Sequence, residues 1–440
     1  MALETIDYLS LYFFARFLIE AVFTQNRPVM YKCLSLLGLS SLLLLWACQS
    51  SQLLPVYPLA SSDVTQADFS VFKKMLKNKR VVMLGEFSHG AKEISQFRKE
   101  FIQYLHEELG YELVLFESGI GEGITIEYDR LELSAAQMVT AGVTGPWHTE
   151  DYVRLMDYIR VKPTLHVAGF DVQRTGRSFD KWIQKVVPSL TPNPDRYLPL
   201  EGLFGNMMRQ FRNRKVKADE KLEAEHVRLT QLYQELTELL IGNEATLSKK
   251  WGRKRIALAI KTLSNRQAYL EYFMQFKRTN DYRTRWAARD SLMAENALWV
   301  LTELYPNKKV IINAHNFHIS KYNEKELTMG EILAENLGKE LYSIGVFGGK
   351  GVYANNGRKR EEMTLTKAKH DIQQIVLKAP EEISVFPIPS ISTPVQKWLF
   401  EPVMVNHSFI SLENDNLLVP AKAFDALIGI KEISAPKYIN

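Results

Sequence analysis

Val81-Val82-Met83-Leu84-Gly85-Glu86-Phe87-Ser88-His89-Gly90 is the stretch that decides the fold. Four apolar residues, two of them β-branched, read as a short buried strand. Gly85 ends it, titratable side chains follow at once, and a helical pattern opens at Ala91. Strand, tight turn, polar residues and helix start are the layout of an α/β protein whose ligand crevice lies beyond the carboxyl ends of its strands. Ser88 reads as a cap for that helix.

Outward from this stretch the pattern repeats. Ile94, Phe97, Phe101, Ile102, Leu105 and Leu109 recur at helical spacing, and Gly110 stands where a helix would end. A second strand over 112–116 ends at Glu117. Gly119, Gly121 and Gly123 follow without the Lys-Ser/Thr of a phosphate loop, so they read as a turn passing close to a pocket. An amphipathic helix spans 147–159, and a third strand over 164–170 ends at Asp171. A fourth, over 309–313, ends at His315 and His318. Residues from about 178 to 300 hold charged helical patterns and no strand, a large α-helical insertion. After a helix near 329–337 and a strand over 341–347, Gly348, Gly349 and Gly351 read as a flexible loop, and the rest as shorter strands and loops. The expected class is α/β, a mostly parallel sheet flanked by helices.

Composition bounds the function. The 440 residues are 46% hydrophobic and 24% charged, ordinary for a globular chain, and the net charge of +5 is spread along it, which does not point to nucleic acid. The two cysteines, Cys33 and Cys48, leave everything after residue 48 without a disulfide, a thiolate metal site or a thiol nucleophile. Residues 30–48 resemble a lipoprotein signal peptide: Lys32, an apolar run from Leu34 to Leu45, then Leu45-Trp46-Ala47-Cys48, the pattern of a bacterial lipobox with Cys48 as lipidation site. On this reading residues 1–29 precede the true start, 49–65 are a tether, and 66–440 form the domain, held in the cell envelope as a membrane-anchored lipoprotein.

In a parallel sheet the ends of these strands share one edge, so Glu86, His89, Glu117, Asp171, His315 and His318 converge. His89 is the candidate general base: an imidazole can be neutral at working pH and take a proton from water, and this one stands at a helix start. Glu86 would stabilise the imidazolium formed, and Glu117 would orient a histidine or a water. Arg98 either pairs with Glu117 or neutralises an oxyanion. His315 and His318 are candidate donors, general acids or metal ligands, without the His-Glu-x-x-His spacing of a metalloprotease. No Gly-x-Ser-x-Gly elbow supports a serine hydrolase.

Gly85-Glu86-Phe87-Ser88-His89-Gly90, Arg98, Phe116-Glu117, Trp147-His148-Thr149-Glu150, Gly169-Phe170-Asp171-Val172-Gln173, Arg289-Asp290 and Ala314-His315-Asn316-Phe317-His318 resemble, in order, the signature of the erythromycin esterase family. The resemblance implies an α/β fold with a helical insertion and hydrolysis of a carboxylic ester, with macrolide lactones and antibiotic resistance its best-known setting. It implies water activated by His89, with Glu86, Arg98, Glu117, His315 and His318 lining the active site, and Asp171, Gln173 and Trp147 as candidate substrate contacts. It implies no cofactor. A metal-dependent hydrolase using the same Glu/His cluster, with a divalent metal, and a non-catalytic ligand-binding lipoprotein are the competing expectations.

Overall fold

The computed structural model describes residues 56–60, 63–365, 371–394, 396–405 and 417–439. Its strands are β1 (Tyr57–Ala60), β2 (Val81–Leu84), β3 (Leu113–Gly119), β4 (His166–Asp171), β5 (Val310–Asn313), β6 (Leu341–Ala354), β7 (Arg360–Glu362), β8 (Ile383–Pro387), β9 (Val403–Met404), β10 (Leu417–Leu418) and β11 (Ala426–Ile433). One sheet runs in the order β1-β8-β11-β6-β2-β5-β3-β4, with β7 paired to β6, and β9 and β10 form a separate pair. From β11 to β4 every neighbouring pair is parallel, whereas β8 and β1 are antiparallel.

The central strands are mostly apolar up to their carboxyl ends because both faces are covered. Val81, Val82, Met83 and Leu84 are all fully buried, as are Val310, Ile311 and Ile312 of β5. Helix Lys92–Leu109 lays Ile94, Phe97, Phe101, Ile102 and Leu105 on one face of the sheet, the residues its spacing marks. Each such side chain contributes about 1.5–3 kcal/mol by leaving water. The helix ends on Gly110, left-handed at φ 68°. Residues 178–300 contain helices and no strand, the longest being Glu220–Gly242 and Arg253–Thr279.

The structure corrects several expectations. Residues 57–60 and 63–65 are not tether: Tyr57–Ala60 pairs with β8 as an edge strand, and Leu59, Ala60 and Val64 are buried. Pro58 is tolerated there because an edge strand has one unpaired side. β6 runs through the three glycines expected to be loop. A Cβ on Gly348 would lie 2.6 Å from Ile433 and 2.9 Å from Phe87, and one on Gly349 would lie 2.7 Å from the Lys431 carbonyl, so these glycines let β11 and Phe87 pack closely. The C-terminal third also supplies β11, a central strand between β6 and β8. Ser88 is no helix cap: its Oγ donates to the Ala354 carbonyl (2.9 Å), and Ala91 takes the N-cap position.

The lipoprotein signal, Cys48 and the proposed extension over 1–29 lie outside the described residues. Among the described residues no helix is long and apolar enough to cross a membrane.

Candidate active site

β2 delivers Glu86 and His89 into the crevice through a turn only glycine can make. A Cβ on Gly85 would fall 2.0 Å from Asn316 Oδ1, and one on Gly90 2.1 Å from the Ala354 carbonyl. Asn316 uses that closeness. Its backbone N–H donates to the Glu86 carbonyl (2.8 Å), its Nδ2 donates to the Val346 carbonyl (2.8 Å), and its Oδ1 accepts from Val346 N–H (3.1 Å). The β2, β5 and β6 ends are thus tied together.

Glu86 is fully buried and clamped on three sides. Arg98 Nη1 lies 2.7 Å from its Oε2, while Trp147 Nε1–H donates to its Oε1 (2.8 Å) and His89 Nδ1 meets the same oxygen at 2.5 Å. With Nδ1–H given to a carboxylate, the His89 lone pair sits on Nε2, which makes no hydrogen bond to any described residue. The ring is edge-on to Trp147 (centroids 5.3 Å) and to His315 (5.5 Å). Arg98 is spent on structure: Nη2 donates to the Leu84 (3.1 Å) and Ala314 (2.8 Å) carbonyls, and Nη1 donates to Tyr152 OH (3.0 Å). Arg98 therefore positions Glu86 and pairs with it, not with Glu117.

Glu117 finds its cation elsewhere. Arg289 Nη2 donates to Glu117 Oε1 (3.0 Å) and to Asp171 Oδ2 (2.7 Å), and Arg289 Nε donates to Asp171 Oδ1 (3.3 Å). The second Glu117 oxygen accepts the backbone N–H of His315 (2.9 Å). Burial opposes charge on Glu117, but His318, His89 and Arg289 outweigh it, and its carboxyl is held well below the usual range. Glu117 is thus a buried carboxylate at any ordinary pH.

The two histidines of the fourth strand end divide sharply. His315 Nε2–H donates to the Phe87 carbonyl (2.8 Å), and its Nδ1 accepts Phe317 N–H (3.3 Å). Both nitrogens face backbone groups, and burial, with His89 nearby, lowers its pKa to about 3. It is a neutral ring bracing the turn that carries His89. His318 Nδ1 faces Asp290 Oδ1 (2.8 Å), and Nε2 lies 3.3 Å from Glu117 Oε1 and 2.8 Å from Arg289 Nη1. The Arg289 contact suits a neutral ring, since a guanidinium only donates. The carboxylates suit a charged one, and they prevail because Asp290 and Glu117 together outweigh Arg289. Burial opposes the charge, but Asp290 and Glu117 overcome it and raise the pKa to about 9. In either protonation state Nε2 keeps a partner.

Every residue expected in the site except Gln173 is buried at the carboxyl edge of the sheet. Asp171 is committed to Arg289, and its Oδ1 accepts Gln173 N–H (3.0 Å). Trp147, expected against substrate, is fully buried with its indole on Glu86 and stacked on Tyr152 (5.0 Å). The Gln173 side chain turns outward to Arg212. The roles of Arg289, Asp290 and Tyr152 escape sequence reasoning because they lie on helices rather than at strand ends. The only sequence signal was Arg289-Asp290 in the family pattern. Among the described residues no group of three or more His, Cys, Asp or Glu side chains is arranged to hold a metal ion. The Arg289 guanidinium occupies the space between Glu117, Asp171 and His318.

Comparison with known proteins gives a consistent picture. The erythromycin esterase family model matches residues 106–433. The Bacillus subtilis (strain 168) protein named "Putative hydrolase YbfO" is 28% identical over 380 residues, 78% of this chain and 82% of its own length. "Erythromycin esterase type II" of Escherichia coli is 24% identical over 310 residues, 66% of this chain and 74% of its own. In crystal structures the same fold is seen in a Bacillus cereus protein (TM-score 0.70, 20% identity, 87% of this chain and 97% of that one). It is seen too in an erythromycin esterase variant in its open conformation (TM-score 0.61, 16% identity, 87% and 99%).

Proposed function

Because this chain belongs to the erythromycin esterase family, we propose that it hydrolyses carboxylic esters with His89 as general base. The observation that carries the reading is the Glu86–His89 contact at 2.5 Å: it fixes the proton on Nδ1 and leaves Nε2 as the acceptor. A water at Nε2 gives up its proton as its oxygen bonds to the ester carbonyl carbon. Glu86 offsets the imidazolium that forms. The tetrahedral oxyanion is stabilised by the positive charge of His318 and Arg289. On collapse the carbon–oxygen bond to the alcohol breaks, and the alkoxide takes the proton held by His89. His315, Arg98 and Trp147 position the base and the acid rather than touching substrate. The natural ester is a small molecule, with macrolide lactones one candidate class.

The chain's place in the cell envelope, with a lipid on Cys48, forms part of the same proposal. Mass spectrometry of the mature protein finding a modified Cys48 at the N-terminus supports it, and an unmodified Cys48 contradicts it.

The test is hydrolysis of an ester panel, macrolides included, by purified protein before and after chelation. Turnover that survives chelator supports His-activated water. Turnover abolished by chelator and restored by one metal favours the metal-dependent reading.

A further inference from the structure

Helix Leu200–Arg212 buries Leu200, Phe204, Met207, Met208 and Phe211 in the insertion. Its adjoining face carries Gly205, Arg209 and Arg212, spaced as one helical stripe. That stripe meets the loop after β4. Arg212 Nη2 donates to Gln173 Oε1, and Gln173 N–H donates to Asp171 Oδ1, so Arg212 stands two residues from the buried site. A Cβ at Gly205 would lie 3.3 Å from Arg174 Nη1 and 4.0 Å from Arg209 Nη1, which brings a third guanidinium alongside.

Several arginines of the insertion meet carboxylates: Arg196 with Glu235, Arg278 with Glu223, Arg255 with Asp129. Arg174 is likewise engaged, with the Gly176 and Glu201 carbonyls and near Asp180. The partners of Arg209 and Arg212 are neutral amide oxygens, of Asn206 and Gln173. Among the described residues neither has a carboxylate within ion-pair distance. The chain beyond adds Lys215 and Lys217 before the first acid, Asp219, and Lys277 pins this segment through the Asn213 (2.8 Å) and Val216 (3.0 Å) carbonyls. The result is an exposed positive rim beside the loop after β4.

We infer that the substrate is an ester bearing an anionic group, carboxylate or phosphate, which Arg209 and Arg212 bind at the rim while the ester carbonyl lies at His89. This rests on the esterase reading above. A guanidinium matches a carboxylate or phosphate with two parallel hydrogen bonds, and Gln173 keeps Arg212 ordered until the anion replaces it. The amide is a weak competitor, so the exchange favours the ligand.

The test compares two activated esters of matched length, 4-nitrophenyl hexanoate and mono-4-nitrophenyl adipate, with wild type and an Arg209→Gln/Arg212→Gln double variant. Wild type is expected to favour the anionic ester in kcat/KM by about 10- to 100-fold, the scale of one charge-assisted hydrogen bond. The double variant should bring that ratio close to one, and added salt should lower it in wild type. A wild-type preference for the neutral ester, or a preference the double variant keeps, overturns the proposal. Calorimetric binding of adipate to both proteins separates the two claims. If wild type hydrolyses neither ester yet binds adipate, and the variant does not, the anion site stands and the esterase reading falls. If wild type neither discriminates nor binds, the anion site is wrong.

Discussion

Trp147 illustrates how much of this site is support. Its indole N–H is one of three cations or donors on Glu86. Trp147→Phe removes one hydrogen bond to a buried charge, a loss of about 1.5–3 kcal/mol. A fall in kcat of at least tenfold with KM little changed is expected, read by steady-state kinetics. Arg289 is costlier: Arg289→Met leaves Glu117 and Asp171 buried without their cation, and a destabilisation of about 3–5 kcal/mol is expected in thermal or denaturant unfolding. His318 gives a pH signature. Its folded pKa, about 9, lies above the ordinary 6.5, so its contribution is complete below pH 6.5 and lost as pH rises to 9. His315 works the other way: with a folded pKa of about 3, its contribution is present above 6.5 and lost as pH falls toward 3. The melting-temperature advantage of wild type over His318→Gln should therefore shrink between pH 6.5 and 9. A constant advantage across that range would contradict the raised pKa.

At the scale of elements, what the sequence made legible were strands with their titratable ends. Val81–Leu84 and residues 310–312 are continuous apolar runs, and their neighbours in the chain had to reach one edge of a parallel sheet. The partnerships were not legible. Nothing in the spacing of Arg98 and Glu117 says that Glu117 would pair with Arg289, which is 172 residues away. Nor does Gly348-Gly349 reveal that a strand continues there, because the reason is the tight approach of β11 and Phe87. Gly90 tests this kind of constraint directly. Gly90→Ala puts a methyl 2.1 Å from the Ala354 carbonyl and separates the Gly90–Ala354 bridge. Lower stability and lower activity are expected together, measured as a fall in melting temperature and in kcat/KM.

At the scale of the whole molecule, the sheet has a parallel centre that carries chemistry and an antiparallel margin, β8 and β1, that closes one side. β1 was hidden in the sequence because its four residues, with Pro58 among them, Pro55 just before and Ser61-Ser62 just after, read as linker. Its burial only becomes apparent beside β8. The helical insertion was visible as charge patterning, but its contribution of Arg289 and of the arginine rim was not, since both depend on which helix face meets the sheet edge. The central claim is that Glu86 and His89 act as one base. The most direct measurement is kcat/KM on the best ester for wild type, His89→Gln and Glu86→Gln, with melting temperatures confirming that each folds. A loss of about 10²–10⁴ is expected for His89→Gln, the range for a general base, and a substantial loss for Glu86→Gln. A folded His89→Gln protein with wild-type turnover would contradict it.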